Sequence, residues 1–338
     1  MTRPVAVIEL PPPPPFTPRS RLAYLRYLAL WESVARLPDR LARVAPRIAG
    51  DAWWRLASAS RRAQVRANLR RIVPEASPGD LEDLVREAHR SYARYWVDSF
   101  RLHRMDPAQV VASSTLEGVE HADAARDSRR GGVLVTGHLG SWDVGAMFAA
   151  QRDWSMVVVA EVVEPRALFD RFVALRRGIG VQVVPLVRGA QVMRVLERHV
   201  ADGDLVTLLT DRDLTRRGPI VEFFGEPCRL PAGPSVLARS AGCPVMASAF
   251  LTSGDGFHGV VRPPVDLTEL SIIDGMQVVA NELEVLIRRD PAQWHVFVAN
   301  WLVEREPHHP VIDAWRRGED WRALARAERR AYTQGARQ

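Results

Sequence analysis

The spacing of apolar and polar positions divides the chain into two regimes. Between residues 19 and 103 apolar side chains recur at three- and four-residue steps: Leu22, Leu25, Leu28, Trp31 and Val34, then Trp53, Trp54, Val65 and Leu69, then Tyr92, Tyr95, Trp96 and Phe100. That period predicts amphipathic helices over 19–48 (one or two, interrupted by Pro38), 51–72 and, after the turn at 74–80, 81–103. Beyond residue 130 the pattern changes to short, apolar, β-branched runs. They predict strands at 132–136, 156–160, 182–186, 205–209, 245–251 and 259–261, with helical stretches at 143–151, 167–177, 190–201, 235–241 and 274–289 between and after them. Strands alternating with helices predict an α/β fold: a mainly parallel central sheet flanked by helices, with the N-terminal amphipathic helices attached. The organisation expected is a disordered Pro-rich tail over 1–18, a helical N-terminal region over 19–110, an α/β core over 111–305 and a helical C-terminal tail over 306–338 that carries no identifiable chemistry.

The stretch Val133-Leu-Val-Thr-Gly-His138-Leu-Gly-Ser-Trp-Asp143 carries the chemistry. It delivers His138 from the end of a buried strand and Asp143 into the first turn of the following helix. Open α/β folds place their ligands at that carboxyl edge. A carboxylate five positions on can fold back onto one ring nitrogen and fix the tautomer. The other nitrogen is then free to take a proton from an alcohol, and the helix start offers backbone N–H groups for a developing oxyanion. By itself the spacing also fits a strand-end histidine bonded to a backbone carbonyl and an aspartate that merely favours a helix N-terminus.

Composition narrows the classes. The 338 residues carry 46 basic side chains, all of them arginine, against 40 acidic ones, for a net charge of +6. Such a surface is drawn to anionic headgroups, to the phosphates of an acyl carrier and to nucleic acid. No nucleic-acid-binding motif accompanies it, so no nucleic acid is expected. Two cysteines, Cys228 and Cys243, have no metal-ligand spacing around them and imply neither a metal site nor a disulfide framework. The start has no signal-peptide core, and no apolar run reaches the ~20 residues that span a bilayer. Contact with a membrane is therefore expected through one face, where the aromatics and arginines of 51–72 suit a headgroup interface.

Four stretches carry a resemblance to a known family: Ala67-Asn-Leu-Arg-Arg-Ile72; Thr136-Gly-His-Leu-Gly-Ser-Trp-Asp143; Leu209-Thr-Asp-Arg-Asp-Leu-Thr-Arg-Arg-Gly218, leading into Phe223-Phe-Gly-Glu-Pro227 and Leu230-Pro-Ala-Gly-Pro234; and Asp290-Pro-Ala-Gln-Trp294. The chain resembles the HxxxxD/E lysophospholipid acyltransferases, in the branch of the lipid A acyltransferases, and is most similar to the actinobacterial phosphatidylinositol mannoside acyltransferases. The Phe-Pro-Glu-Gly-Thr block of the glycerol-phosphate enzymes is absent, and Leu230-Pro-Ala-Gly-Pro234 stands in its place without the glutamate. The resemblance implies catalysis by His138 and Asp143, with the Asp211/Asp213 pair shaping the site: one of them either tunes His138 or holds acceptor hydroxyls. No cofactor is implied. The donor would be a long-chain acyl-CoA, the acceptor a mannosylated phosphatidylinositol or related glycolipid, and the place an anionic membrane surface, the cytoplasmic face of the plasma membrane. Glu161 and Arg176, flanking the next strand-helix unit, are expected to contact the acceptor headgroup. Glu222 is a weaker substitute for the missing glutamate. Arg229, before the Leu-Pro-Ala-Gly-Pro turn, is expected to meet phosphate.

Overall fold

The computed structural model describes residues 8, 10–187 and 191–335, with side chains to residue 332; residues 1–7 and 9 of the expected tail lie outside the described residues. Four long helices come first: α1 (Pro18–Ala35), α2 (Asp39–Leu56), α3 (Ala59–Ile72) and α4 (Pro78–Arg101). Thr17, Ser58 and Ser77 cap α1, α3 and α4, each side-chain oxygen accepting from a backbone N–H three residues on. The expected break near residue 50 is not there. Instead α2 continues through Pro46 to Leu56, because Gly50 packs directly on α4: a Cβ at that position would sit 2.4 Å from the Arg90 Cα.

The core follows as α5 (Pro107–Ala112), β1 (Ser114–Glu117), α6 (Val119–Asp127), β2 (Gly132–Thr136), α7 (Trp142–Gln151), β3 (Met156–Glu161), α8 (Arg166–Gly178), β4 (Gln182–Leu186), α9 (Gln191–Ala201), β5 (Leu205–Leu209), the hairpin β6 (Ile220–Phe223) and β7 (Glu226–Arg229), α10 (Gly233–Ala241), β8 (Val245–Ser253), β9 (Gly256–Val261) and α11 (Ile272–Arg289). The chain ends in α12 (Leu302–Arg305), α13 (Pro310–Arg316) and α14 (Trp321–Gly335), the last two separated by Gly318 at a φ of 70°.

Seven strands form the main sheet in the order β1-β9-β8-β2-β5-β3-β4, every pair parallel except β8 with β9. The α/β expectation therefore holds. The β8–β9 hairpin and the separate β6–β7 hairpin are the antiparallel additions. All five residues of β2 are buried, as a strand covered on both faces requires. Val133 and Val135 of β2 and Val206 and Leu208 of β5 face one way, into the cluster built with Val195, Leu237 and Leu283 of the helices on that side. Leu134, Met156 and Leu205 face the other way, against Ala122 of α6 and Ala146 and Ala149 of α7.

Candidate functional site

The register of β2 on β5 assembles the site. Thr136 lies opposite Leu209, and the ladder runs one step further through the Thr210 N–H to the Thr136 carbonyl at 2.8 Å. Two residues beyond the last pair on each strand stand His138 and Asp211. Parallel strands advance in step, so both side chains emerge at the same point of the carboxyl edge. The His138 ring Nδ1 lies 2.8 Å from Asp211 Oδ1, and the His138 backbone N–H donates to Oδ2 at 2.7 Å. Gly137 leaves room for this approach, since a Cβ there would be 3.0 Å from the same carboxylate.

The structure gives the His138 ring a different acid from the one expected: its partner is Asp211, while Asp143 borders the same cavity without reaching the ring. Asp143 is buried in the first turn of α7. It accepts from Arg176 Nε of α8 at 2.9 Å and from Tyr95 Oη and Ser99 Oγ of α4 at 3.1 Å each. The Asp143 carboxylate thus joins α7 to α4 and α8.

Asp211 is completely buried. Burial alone would raise its carboxyl, yet the His138 ring, the His138 N–H and the Trp294 indole N–H at 2.7 Å together hold it below the ordinary carboxylate range. The late segment fastens the same loop from outside: Leu139 bridges to Trp294, the His295 N–H donates to the His138 carbonyl at 2.7 Å and the Asn300 amide to the Asp211 carbonyl at 2.8 Å. Gly140 adopts a φ of 66°, where a Cβ would stand 2.2 Å from the Phe250 oxygen. Its N–H and that of Ser141 are spent on the Gln293 and Phe250 carbonyls. The intrahelical orphans of α7, the amides of residues 142 to 144, are the donors left for an oxyanion.

His138 keeps 28% of its side chain exposed. It lines a cavity of about 330 Å³ between α7 and the sheet, together with Leu134, Thr136, Trp142, Trp154, Glu161 and Val261. Five of the six residues of β3, all but Val157, line it along a strand of ~17 Å, at ~3.3 Å per residue. Trp142 stacks on Tyr95 at 3.8 Å between ring centroids and meets the His138 ring edge-on at 5.7 Å.

Of the other expected binding residues, Glu161 alone is exposed at this cavity. Arg176 also borders it, but its guanidinium is committed to Asp143; burial would lower its pKa, and the Asp143 carboxylate nevertheless keeps it raised. Asp213 is buried and organises its own loop, accepting from the N–H groups of Thr215, Arg217 and Gly218. It is an Asx-type turn residue that offers no carboxylate oxygen to a ligand. Glu222 pairs with Arg322 on α14, away from the cavity. Arg229 is buried between Glu306 at 2.8 Å and Glu328 at 2.9 Å, with its remaining reach taken by the Gly218 carbonyl. It fastens the C-terminal helices to the core and is not placed to meet phosphate. The hydrogen-bonding and stacking parts of Tyr95, Ser99 and Trp142 carry no signal in the sequence, where Tyr95 and Trp142 read as apolar helix positions and Ser99 as a lone hydroxyl. Among the described residues no group of three His, Cys, Asp or Glu side chains is arranged to hold a metal ion.

Residues 16–303 match the model of the bacterial lipid A biosynthesis acyltransferases. The chain belongs to this family. It is 33% identical over 289 residues to the phosphatidylinositol mannoside acyltransferase of Mycolicibacterium smegmatis, covering 83% of this chain and 91% of that one. It is 34% identical over 284 residues to the enzyme of that name from Mycobacterium tuberculosis, covering 82% and 88%. The protein is an acyltransferase of the lipid A acyltransferase family, and the His138–Asp211 pair stands at the carboxyl edge of its sheet.

Proposed function

We propose that the protein transfers a long-chain acyl group from acyl-CoA to a sugar hydroxyl of a phosphatidylinositol mannoside, lying peripherally on the cytoplasmic face of the plasma membrane. One observation carries this reading: a partly exposed imidazole, oriented by a buried carboxylate, lines a cavity walled mainly by apolar side chains. The acyl chain lies in that cavity, where each buried methylene contributes ~0.8 kcal/mol. With Nδ1 held by Asp211, Nε2 takes the proton of the acceptor hydroxyl as its oxygen attacks the thioester carbonyl. The tetrahedral oxyanion is met by the first-turn amides of α7. On collapse the C–S bond breaks, and the imidazolium returns its proton to the departing thiolate. Glu161, exposed and part of the cavity lining, is offered to a hydroxyl of the acceptor.

The membrane face is formed by α1 and α2. Leu22, Leu25, Leu41, Val44, Ile48 and Leu56 are all exposed, Leu56 to 85%, among arginines that complement anionic headgroups. No described helix is long and apolar enough to cross a bilayer. Transfer from labelled acyl-CoA to phosphatidylinositol mannosides in vesicles tests the reading. The expected result is product with the wild type and a loss of at least about 10²-fold in His138→Ala. Transfer to lysophosphatidate alone overturns the acceptor, and near-normal turnover of His138→Ala overturns the mechanism.

A further inference from the structure

A second cavity, of about 540 Å³, opens between α2, α4 and the β8–β9 turn and shares no lining residue with the first. It is polar and strongly basic. Arg43 and Arg47 of α2 face Arg90 and Arg94 of α4 across it, and its only carboxylates are Glu87 and Asp290. Each arginine pair is four residues apart on one helix face, an arrangement of like charges that destabilises an isolated helix. The α4 pair has compensation: Arg90 clamps Asp51 at 2.7 Å and also meets Glu87, and Arg94 reaches Asp98 at 3.3 Å. Asp290 accepts from the Gln293 amide at 2.8 Å. Arg43 and Arg47, both exposed, take part in none of the ion pairs of the described residues. The close contact at Gly50 brings α2 against α4 just beyond this point.

The position on α2 indicates what such a site meets. At ~100° per residue, Pro46 and Gly50 mark the buried face, and Leu41, Val44 and Ile48 the exposed apolar one. Arg43 and Arg47 occupy the strip between them. If the apolar strip enters the acyl boundary of a bilayer, the cavity opens at headgroup depth, where phosphates lie. Guanidinium forks suit phosphate oxygens.

We propose that this cavity is a phosphate-ester site, filled by the headgroup of an anionic phospholipid and separate from the acyl-transfer centre. It depends on the membrane-facing reading of α2 for the source of the phosphate and not on the acyl-transfer chemistry. The test is binding of the full chain to phosphatidylcholine vesicles with and without phosphatidylinositol, and thermal stabilisation by inorganic phosphate. Arg43→Gln/Arg47→Gln removes no internal hydrogen bond, so it is expected to melt as the wild type does. It should lose roughly 30-fold of the phosphatidylinositol-dependent affinity, from ~1 kcal/mol per arginine at an anionic surface, and keep its binding to phosphatidylcholine alone. Arg43→Lys/Arg47→Lys, which keeps the charge and loses the forks, should retain only part of that affinity, and His138→Ala all of it, which separates this site from the catalytic one. Loss of phosphate stabilisation with lipid binding unchanged would support the phosphate site and overturn its lipid source. Unchanged behaviour toward both probes would overturn the proposal.

Discussion

Two carboxylates near His138 differ in what they are tied to, and that difference assigns their parts. Asp211 receives the ring, the His138 N–H and the Trp294 indole within 2.8 Å, so it orients the imidazole. In Asp211→Asn the amide group would donate to Nδ1 and drive the ring proton onto Nε2, the atom required to accept. The variant is expected to lower kcat by about 10²- to 10⁴-fold with little change in melting temperature. Equal loss of Tm and activity in steady-state and calorimetric measurements would instead mark Asp211 as a packing residue. The sequence contains both Asp143 and Asp211, but it ranks them wrongly for the ring: five residues of separation look near, and 73 look remote, until the strands are laid side by side.

At the level of elements, Asp143 ties the start of α7 to α4 and α8. Its carboxylate and the Arg176 guanidinium are both largely withdrawn from water, where an intact pair contributes little net stability and a broken one costs a great deal. Arg176→Met leaves the carboxylate buried with only the Tyr95 and Ser99 hydroxyls. A loss of roughly 3–5 kcal/mol is expected in denaturant melts, and the double variant Arg176→Met/Asp143→Asn should recover much of it. A single variant as stable as the wild type would refute the anchoring role. The helices and parallel strands themselves were legible from period and composition. The two hairpins were less so. β6 and β7 are four residues each and hold Glu222, Glu226 and Pro227 within them, so no clean alternation announces them, and β8 with β9 reverses direction through a turn that apolar runs alone do not orient.

For the whole molecule, the response to acid rests on groups that burial removes from water. His295 lies under Tyr92, stacked at 4.7 Å, with Nε2 on the Ser91 hydroxyl and no partner for Nδ1. Burial, aided by the neighbouring His138, pushes its pKa down to about 3. The folded ring is therefore neutral, whereas the unfolded one takes a proton near its ordinary ~6.5. Its contribution is complete above that value and falls as pH drops from ~6.5 toward 3, at ~1.4 kcal/mol per pH unit and some 5 kcal/mol in all. Asp98 acts the other way: burial raises its carboxyl, so the folded state gains from its protonation. Melting temperature followed from about pH 7 to about pH 4 is expected to fall steeply in the wild type and more gently in His295→Gln; identical slopes would contradict the assignment.

Period, composition and the stretches around His138, Asp211 and Trp294 determined the helices, the parallel strands, the family and the candidate histidine, because each is a property of neighbouring residues or of a short word in the chain. Three matters waited for the tertiary structure. The partner of His138 depended on the register of β2 against β5. Arg229 proved internal because Glu306 and Glu328 reach it first. The pairing of Arg43 and Arg47 with Arg90 and Arg94 depended on how closely α2 approaches α4 at Gly50. All three are distances between segments remote along the chain, and packing, which acts through space, is what sets them.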